Sequence, residues 1–323
     1  MLKKTFKQSM AALAVTGVAL AATFGPAQAE YPEKPITMVI PLGAGGSHDL
    51  NARIITSIVP SYIGQAMIVR LTPGAGGQKG TQEVANAPAD GYTLLFTHNY
   101  IDMLQQYVET LPYEPLKDFA PVARINYAPA SIIVRADSPY QTFQDLVDDA
   151  KARPGELRLG HSGNWGAFFV PAAQIMKQHD FTMNMIPYQG GGPAMQALLS
   201  GDSDMTMAFP SAIAELLKAG KIRVLASAGK EPIYDGVPTF EEVGIKGDIG
   251  FMHRVVLAPA GTPPEVVEKL QTAFMALADD KTFQNLMVKI DESIDMMGSA
   301  DYQKLREDQS VAYQDLVKSL TAQ

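Results

Sequence analysis

The chain has 323 residues, a formal net charge of −8, five histidines and no cysteine. The missing cysteines exclude disulfides and thiolate chemistry, and the acidic balance argues against nucleic acid or an anionic membrane as a partner. Neither excludes a small anionic ligand, because turns and helix ends set the local field in a cleft.

The chain opens with Lys3, Lys4 and Lys7, an apolar stretch over 11–24, and the small-x-small site Ala27-Gln-Ala29. This is the pattern of a secretory signal peptide over 1–29, cut after Ala29, rather than of an uncleaved anchor. Its apolar part is too short and too alanine-rich for a good transmembrane span. Removing it takes away three lysines and no acid, so the mature chain of 294 residues carries −11. That length permits a large core and two lobes. A periplasmic location is expected.

From residue 36 on, strand-length apolar runs alternate with amphipathic helices, which points to an α/β fold. Strands over 36–40, 66–71 and 93–97, with helices over 49–59 and 78–87 between them, form a βαβαβ beginning that implies a parallel sheet. A proline-rich connection over 111–121 leads to short strands over 122–125 and 131–135. A second series follows: helix 143–152, strand 157–160, helix 166–178, strand 183–187, helix 193–199, strand 205–209, helix 212–218 and strand 221–227. Amphipathic helices over 264–278, 283–290 and 302–320 end the chain. Helices alone cannot make a third domain, so they are expected to pack on the first lobe. The expected organisation is lobe 1 over 30–130 and 228–323, and lobe 2 over 131–227, with crossing strands near 131 and 224.

Two strand–turn–helix junctions carry the candidate site. Ile40-Pro-Leu-Gly-Ala-Gly-Gly-Ser-His-Asp49 offers backbone N–H groups and a helix N-terminus to an anion, through Gly43, Gly46, Ser47 and Asp49. It is neither a dinucleotide fingerprint, since His48 replaces the third glycine, nor a phosphate loop, since no Gly-Lys-Ser/Thr ends it. Ser47 or Asp49 is also a candidate N-cap, and Arg53 stands where it can neutralise Asp49. Leu157-Arg-Leu-Gly-His-Ser-Gly-Asn-Trp-Gly166 repeats the pattern in the second half. There His161, Ser162 and Asn164 can bond a carboxylate, and Trp165, the sole tryptophan, reads as a cleft wall rather than a buried anchor. His98 and Asn99, Tyr188, and Phe209 and Ser211 lie just past strand ends, where open α/β sheets bind ligands. Pro73-Gly-Ala-Gly-Gly77 reads as a tight turn of structural purpose. Met183, Met185, Met205 and Met207 recur at period two and read as core.

Catalytic readings find little support. Ser47, His48 and Asp49 are sequence neighbours whose side chains diverge, so they make no triad. There is no Gly-x-Ser-x-Gly elbow and no His-Glu-x-x-His pair, and the five histidines show no metal-ligand spacing. No cofactor, metal or nucleic-acid partner is expected.

In order along the chain come Tyr31-Pro-x-Lys-Pro-Ile36, the Gly43–Asp49 turn with Ala52-Arg53, Pro73-Gly-Ala-Gly-Gly77 and Ala89-Asp-Gly-Tyr-Thr-Leu94. Phe119-Ala-Pro-Val122, Pro187-Tyr-x-Gly-Gly-Gly-Pro-Ala194, Gly220-Lys-Ile-Arg-Val-Leu-Ala226, Pro238-Thr-Phe and Leu257-Ala-Pro-Ala-Gly-Thr-Pro263 follow. This set resembles the substrate-binding proteins of tripartite tricarboxylate transporters, the Bordetella-uptake-gene type, from about Tyr31 to the end. The resemblance implies a type II periplasmic-binding-protein fold: two lobes, a ligand cleft between them and two crossover strands. It implies a receptor that holds a di- or tricarboxylate or an aromatic acid and delivers it to a permease of a large and a small subunit; a monomer is expected. The loops gripping one carboxylate would be Gly43–Asp49 and His161–Trp165. The chain departs from the family pattern at His253-Arg254, where relatives often have a tryptophan, and at Ala208–Ser211, where many have Phe-Asp-Asn. Arg254, if it points inward, favours a ligand with more than one carboxylate. A sensor presenting its ligand to a membrane kinase, and an exported hydrolase, are the alternatives.

Overall fold

The computed structural model describes residues 30–322; the expected signal peptide lies outside the described residues. Between Lys34 and the C-terminus the chain builds two mixed sheets. The first contains β1 (Ile36–Ile40), β2 (Met67–Leu71), β3 (Thr93–His98), β4 (Phe119–Pro129), β10 (Phe251–Pro259) and β11 (Met297–Gly298), in the order β11-β4-β10-β3-β1-β2. The second contains β5 (Ser131–Arg135), β6 (Arg158–His161), β7 (Asn184–Pro187), β8 (Met205–Ala208) and β9 (Ile222–Ser227), in the order β7-β6-β8-β5-β9. β1 is buried at four of its five positions and β8 at all four, the continuous apolar run of a strand covered on both faces.

The long helices are α1 (Ser47–Ile58), α2 (Gln78–Ala85), α3 (Phe143–Ala152), α4 (Phe169–His179), α5 (Gly191–Ser200), α6 (Pro210–Lys218), α7 (Pro264–Met275), α8 (Lys281–Lys289) and α9 (Ser299–Thr321). Local chemistry marks several of their ends. Thr142 and Asp145 form a reciprocal capping box on α3, and Asp280 caps α8 through the Phe283 N–H.

Three findings differ from the sequence reading. The parallel pairing expected from the βαβαβ beginning holds for β1, β2 and β3, but the sheet as a whole is mixed, because β10 inserts antiparallel between β3 and β4. β10 was not expected as a strand, since His253 and Arg254 interrupt its apolar run. The strand expected over 122–125 is β4, eleven residues long; Pro121 and Pro129 read as breakers. The ladder takes up Pro121 at a register shift opposite Val256 and Leu257.

The chain passes from β4 in one sheet to β5 in the next through Ala130 alone. It returns only at β10, after a 228–250 connection whose Phe240, Ile245 and Ile249 join the buried cluster of Ile132, Leu159 and Met207. Sheet membership thus resumes later than the division at 227 expected from the sequence.

The last helix also does more than return to the first sheet. α9 packs along β4, and its Arg306 is fully buried against Asp102 in the turn of π-helix Tyr100–Leu104. Arg306 Nε reaches both Asp102 oxygens at 3.0 Å, and Nη1 donates to the Phe119 carbonyl at 3.1 Å. Nearer its C-terminus, Val317 belongs to the cluster of the second sheet, and Lys177 on α4 donates to the Ser319 carbonyl. α9 braces both lobes.

Removing one partner of a fully buried ion pair strands the other charge. Arg306→Met should therefore cost about 3–5 kcal/mol in a urea unfolding curve. An Asp102→Leu/Arg306→Met double variant should recover most of that loss. A single variant as stable as the wild type would show that the pair does not brace α9.

Candidate functional site

The C-terminal ends of β1, β3, β6 and β8 face one another across the space between the two sheets. After β1 the chain turns through Gly43–Gly46 into α1. The α1 N-cap is Gly46, and no side chain caps the helix. This replaces the expected Ser47 or Asp49 cap. Asp49 sits in the first turn, and its Oδ2 reaches back to the Gly45 N–H at 3.0 Å while Oδ1 pairs with Arg53 Nε at 2.9 Å. Asp49 thereby shapes the turn and is paired with Arg53.

The opposing jaw differs in part from the expected one. The Gly43 N–H donates to the Gln189 carbonyl at 2.6 Å, so the first turn meets the loop before α5. A Cβ on Gly192 would stand 2.0 Å from the Ala44 carbonyl oxygen and 2.8 Å from the Gly46 nitrogen. The Gly190-Gly-Gly192 run is what lets two backbones touch. The His161–Trp165 turn instead faces Gly74–Gly77, where a Cβ on Gly163 would stand 3.1 Å from the Gly76 Cα. Gln105 holds that loop by donating to the Gly76 carbonyl at 2.8 Å. Pro73–Gly77, expected to be merely structural, forms part of the cleft.

Behind the jaws lies a small pocket of about 20 Å³, lined by Gly43, Gly46, Ser47, His98, Ser162 and Phe209 among the expected residues. Leu42, His48, Ala167, Phe168, Gly191 and Met252 complete it. A larger cavity of about 410 Å³ adjoins it, bounded by Gly74–Gln78, Asn164 and Tyr188, and shares Leu42 and Ser162 with the pocket. Period-two patterning could not identify Met252, because it lies on the unexpected strand β10.

Three helices present their N-termini here. Gly46, Ser47 and His48 begin α1, Phe168 precedes α4 and Gly191 begins α5, and none of the three has a side-chain cap. The first N–H groups of a helix have no acceptor within it, and the aligned peptide dipoles add positive potential there. No lysine or arginine lines the pocket. A fourth helix, α6, also starts at the wall, at Phe209, but its N-terminus is taken: the Ser211 N–H and Oγ both donate to Glu292.

Glu292 also settles where Arg254 points. The guanidinium is fully buried, with Nη1 and Nη2 on the two Glu292 oxygens at 2.7 and 2.8 Å and Nη1 also on Asn126 Oδ1 at 2.9 Å. Arg254 therefore lies behind the pocket, 5.6 Å from the Phe209 ring, with both terminal nitrogens held by Glu292 and Asn126 and Nε without a partner. This corrects the reading in which it would hold a second carboxylate.

Other expected residues lie elsewhere. Ser211 belongs to the Glu292 network, and Asn99 ties strands and helix together through the His253 N–H and the Tyr313 hydroxyl. His161 is buried edge-on to Phe169, and burial holds its pKa below the usual value. Trp165 adopts a left-handed backbone, φ 54°, and packs half-buried on Phe169 outside the pocket.

The imidazoles of His48 and His98 stand 5.2 Å apart on the pocket wall. Burial, with the nearby Arg254 charge, pushes His98 down to about 3 and His48 well below its ordinary value. Both rings are neutral at neutral pH. Among the described residues, no group of three or more His, Cys, Asp or Glu side chains could hold a metal ion.

Residues 51–321 match the family described as "Tripartite tricarboxylate transporter family receptor". The chain is 33% identical to the "UPF0065 protein in gbd 5'region" of Cupriavidus necator, over 90% of this chain and 89% of that one. It is 31% identical to Protein BugT of Bordetella pertussis, over 79% and 80%. Among solved structures it resembles the periplasmic binding protein BugD at a TM-score of 0.85, 28% identical, over 90% of this chain and 98% of that one. An R. palustris protein, Rpa4515, solved with adipate, shows the same TM-score, identity and coverage. MatC of Rhodopseudomonas palustris with bound malate gives 0.83, at 25% identity, over 89% and 100%.

Gly192 lies in the first turn of α5 with an ordinary backbone, so alanine fits its own lobe and collides only with the other. Gly192→Ala should fold normally but keep the jaws apart. Small-angle scattering should then report a larger radius of gyration, and the Gly43 amide should exchange faster. Unchanged scattering and exchange would refute the contact.

Proposed function

The chain belongs to the tripartite tricarboxylate transporter receptor family, and from that membership we propose that it is a periplasmic receptor holding a small carboxylate between its lobes for a two-subunit membrane permease. The observation that carries the reading is the meeting of three helix N-termini without side-chain caps, from both lobes, on one pocket that no cationic side chain lines. Such a site favours an anion, and a carboxylate accepting from backbone N–H groups makes charge-assisted bonds of roughly 1.5–3 kcal/mol each. The α6 N-terminus supplies a precedent within the molecule, because a carboxylate, that of Glu292, already sits on it.

Uptake requires the Gly43–Gln189 and Gly46–Gly192 contacts to part, and their re-formation excludes water from the bound group. A hydrolytic reading lacks an assembled nucleophile: the Asp49 carboxylate serves Gly45 and Arg53 rather than His48. Adipate and malate, bound by relatives of the same fold, are the first ligands to try.

In a thermal-shift screen of the mature protein, a millimolar carboxylate with micromolar affinity should stabilise the fold by about 4 kcal/mol. Flat curves with every carboxylate, alongside a shift with a sugar or a cationic amino acid, would refute the proposal.

A further inference from the structure

We propose that Glu292 is a built-in carboxylate filling a second anion site beside the pocket, so that this receptor selects ligands with a single carboxylate and an uncharged or cationic far end. The inference rests on the carboxylate reading above and adds the charge of the rest of the ligand.

The Glu292 side chain is wholly buried, and five donors converge on its two oxygens. Oε1 accepts from Arg254 Nη2 at 2.8 Å and from the Ser211 N–H and hydroxyl. Oε2 accepts from Arg254 Nη1 at 2.7 Å and from Asn126 Nδ2 at 3.0 Å. A guanidinium, a helix N-terminus, a hydroxyl and an amide are together a complete receptor for one carboxylate. This receptor adjoins the pocket. Met252 shares a face of β10 with Arg254 and lines the pocket. Phe209, which precedes α6 and stands 5.6 Å from the guanidinium, lines it too. Glu292 thus takes up donors that would otherwise be open to a ligand's second carboxylate.

The rest of the cleft offers that second carboxylate nothing in exchange. Among the described residues, no lysine or arginine lines the pocket or the cavity of about 410 Å³ next to it. The charged side chain on the cavity wall is an acid, Glu109. Gln78 opens α2 there, but the Gly77 and Lys79 N–H groups turn back to the Gly74 carbonyl at 2.9 and 3.5 Å. Lys79 itself is exposed, its stem beside Gly74 and outside the cavity lining. Gln78, Asn164, Tyr188 and Gln189 supply neutral donors and acceptors.

Charge then separates the candidates. The first carboxylate of any ligand has the three helix N-termini. A second would lose water beside Glu109 with no opposite charge on the wall, which disfavours it. An amide in its place pairs with the neutral groups, and an ammonium is attracted by Glu109. Adipate should therefore bind less well than its own half-amide.

The test is calorimetric titration of the mature protein with three series. Succinate, glutarate and adipate are each compared with their half-amides and with 3-aminopropanoate, 4-aminobutyrate and 5-aminopentanoate respectively. In at least one series the half-amide or the amino acid should bind about tenfold or more tighter than the diacid. Glu109→Gln should narrow the lead of the amino acid. Glu292→Ala empties the buried site and uncovers Arg254, so it should raise the diacid's affinity relative to its half-amide by about tenfold. If Glu292→Ala does not fold, Glu292→Gln, which keeps the shape and frees the arginine charge, carries the same expectation, and the wild-type series decide in either case. A diacid that equals or exceeds both analogues in every series would overturn the proposal alone. So would a preference that the Glu292 substitutions leave unmoved. Failure of every carboxylate to bind would overturn the receptor reading with it.

Discussion

The buried carboxylate of Glu292 sets the electrical character of the cleft. It accepts from both Arg254 terminal nitrogens, from Asn126 Nδ2 at 3.0 Å, and from the Ser211 N–H and hydroxyl at the start of α6. Asn51 on α1 joins the network through Ser211 Oγ and Asn126. One group thereby links β4, β10, α1 and α6, elements of both lobes. It also withdraws a guanidinium and a helix N-terminus from the pocket in front of it. A buried pair of this kind is costly to desolvate and worth little as net stabilisation. Its consequence is positional: the anion-favouring groups that remain are the three helix ends aimed between the jaws.

Building the site from helix ends rather than lysines has a physical logic. A lysine would bring a mobile stem whose ordering opposes binding, whereas backbone N–H groups are already fixed. Backbone recognition, however, demands close approach, and close approach demands glycine. Gly43, Gly46, Gly163 and Gly192 all lie where a Cβ would press on the opposite jaw. The glycine turns thus serve ligand recognition and jaw contact together.

Much of this was legible beforehand. The alternation of strands and helices, the two glycine turns at strand ends, and Arg53 as the partner of Asp49 all follow from local pattern. The histidines were harder. In the sequence His48 stands only where a glycine is missing and beside Ser47 and Asp49 in a triad that cannot form; nothing local says that its ring will stand beside that of His98, fifty residues on. Arg254 was misjudged for a similar reason, because its partner Glu292 lies in an unpatterned stretch after α8. Strand β10 was hidden by the same arginine, whose charge is tolerable in mid-sheet only because Glu292 is there.

What the sequence determined by itself is what depends on near neighbours: the α/β alternation, the glycine turns after β1 and β6, and the anion-favouring helix starts behind them. Periodicity, φ freedom and helix dipoles are local properties, carried by a few consecutive residues. Only the tertiary structure decided which turns face each other and which charges are spent. It set Gly43 against Gln189 and Gly163 against Gly76, gave Arg254 to Glu292, and left the His48 and His98 nitrogens unpartnered at the pocket. Those outcomes depend on desolvation and on contacts between residues far apart in the chain, which no local pattern encodes.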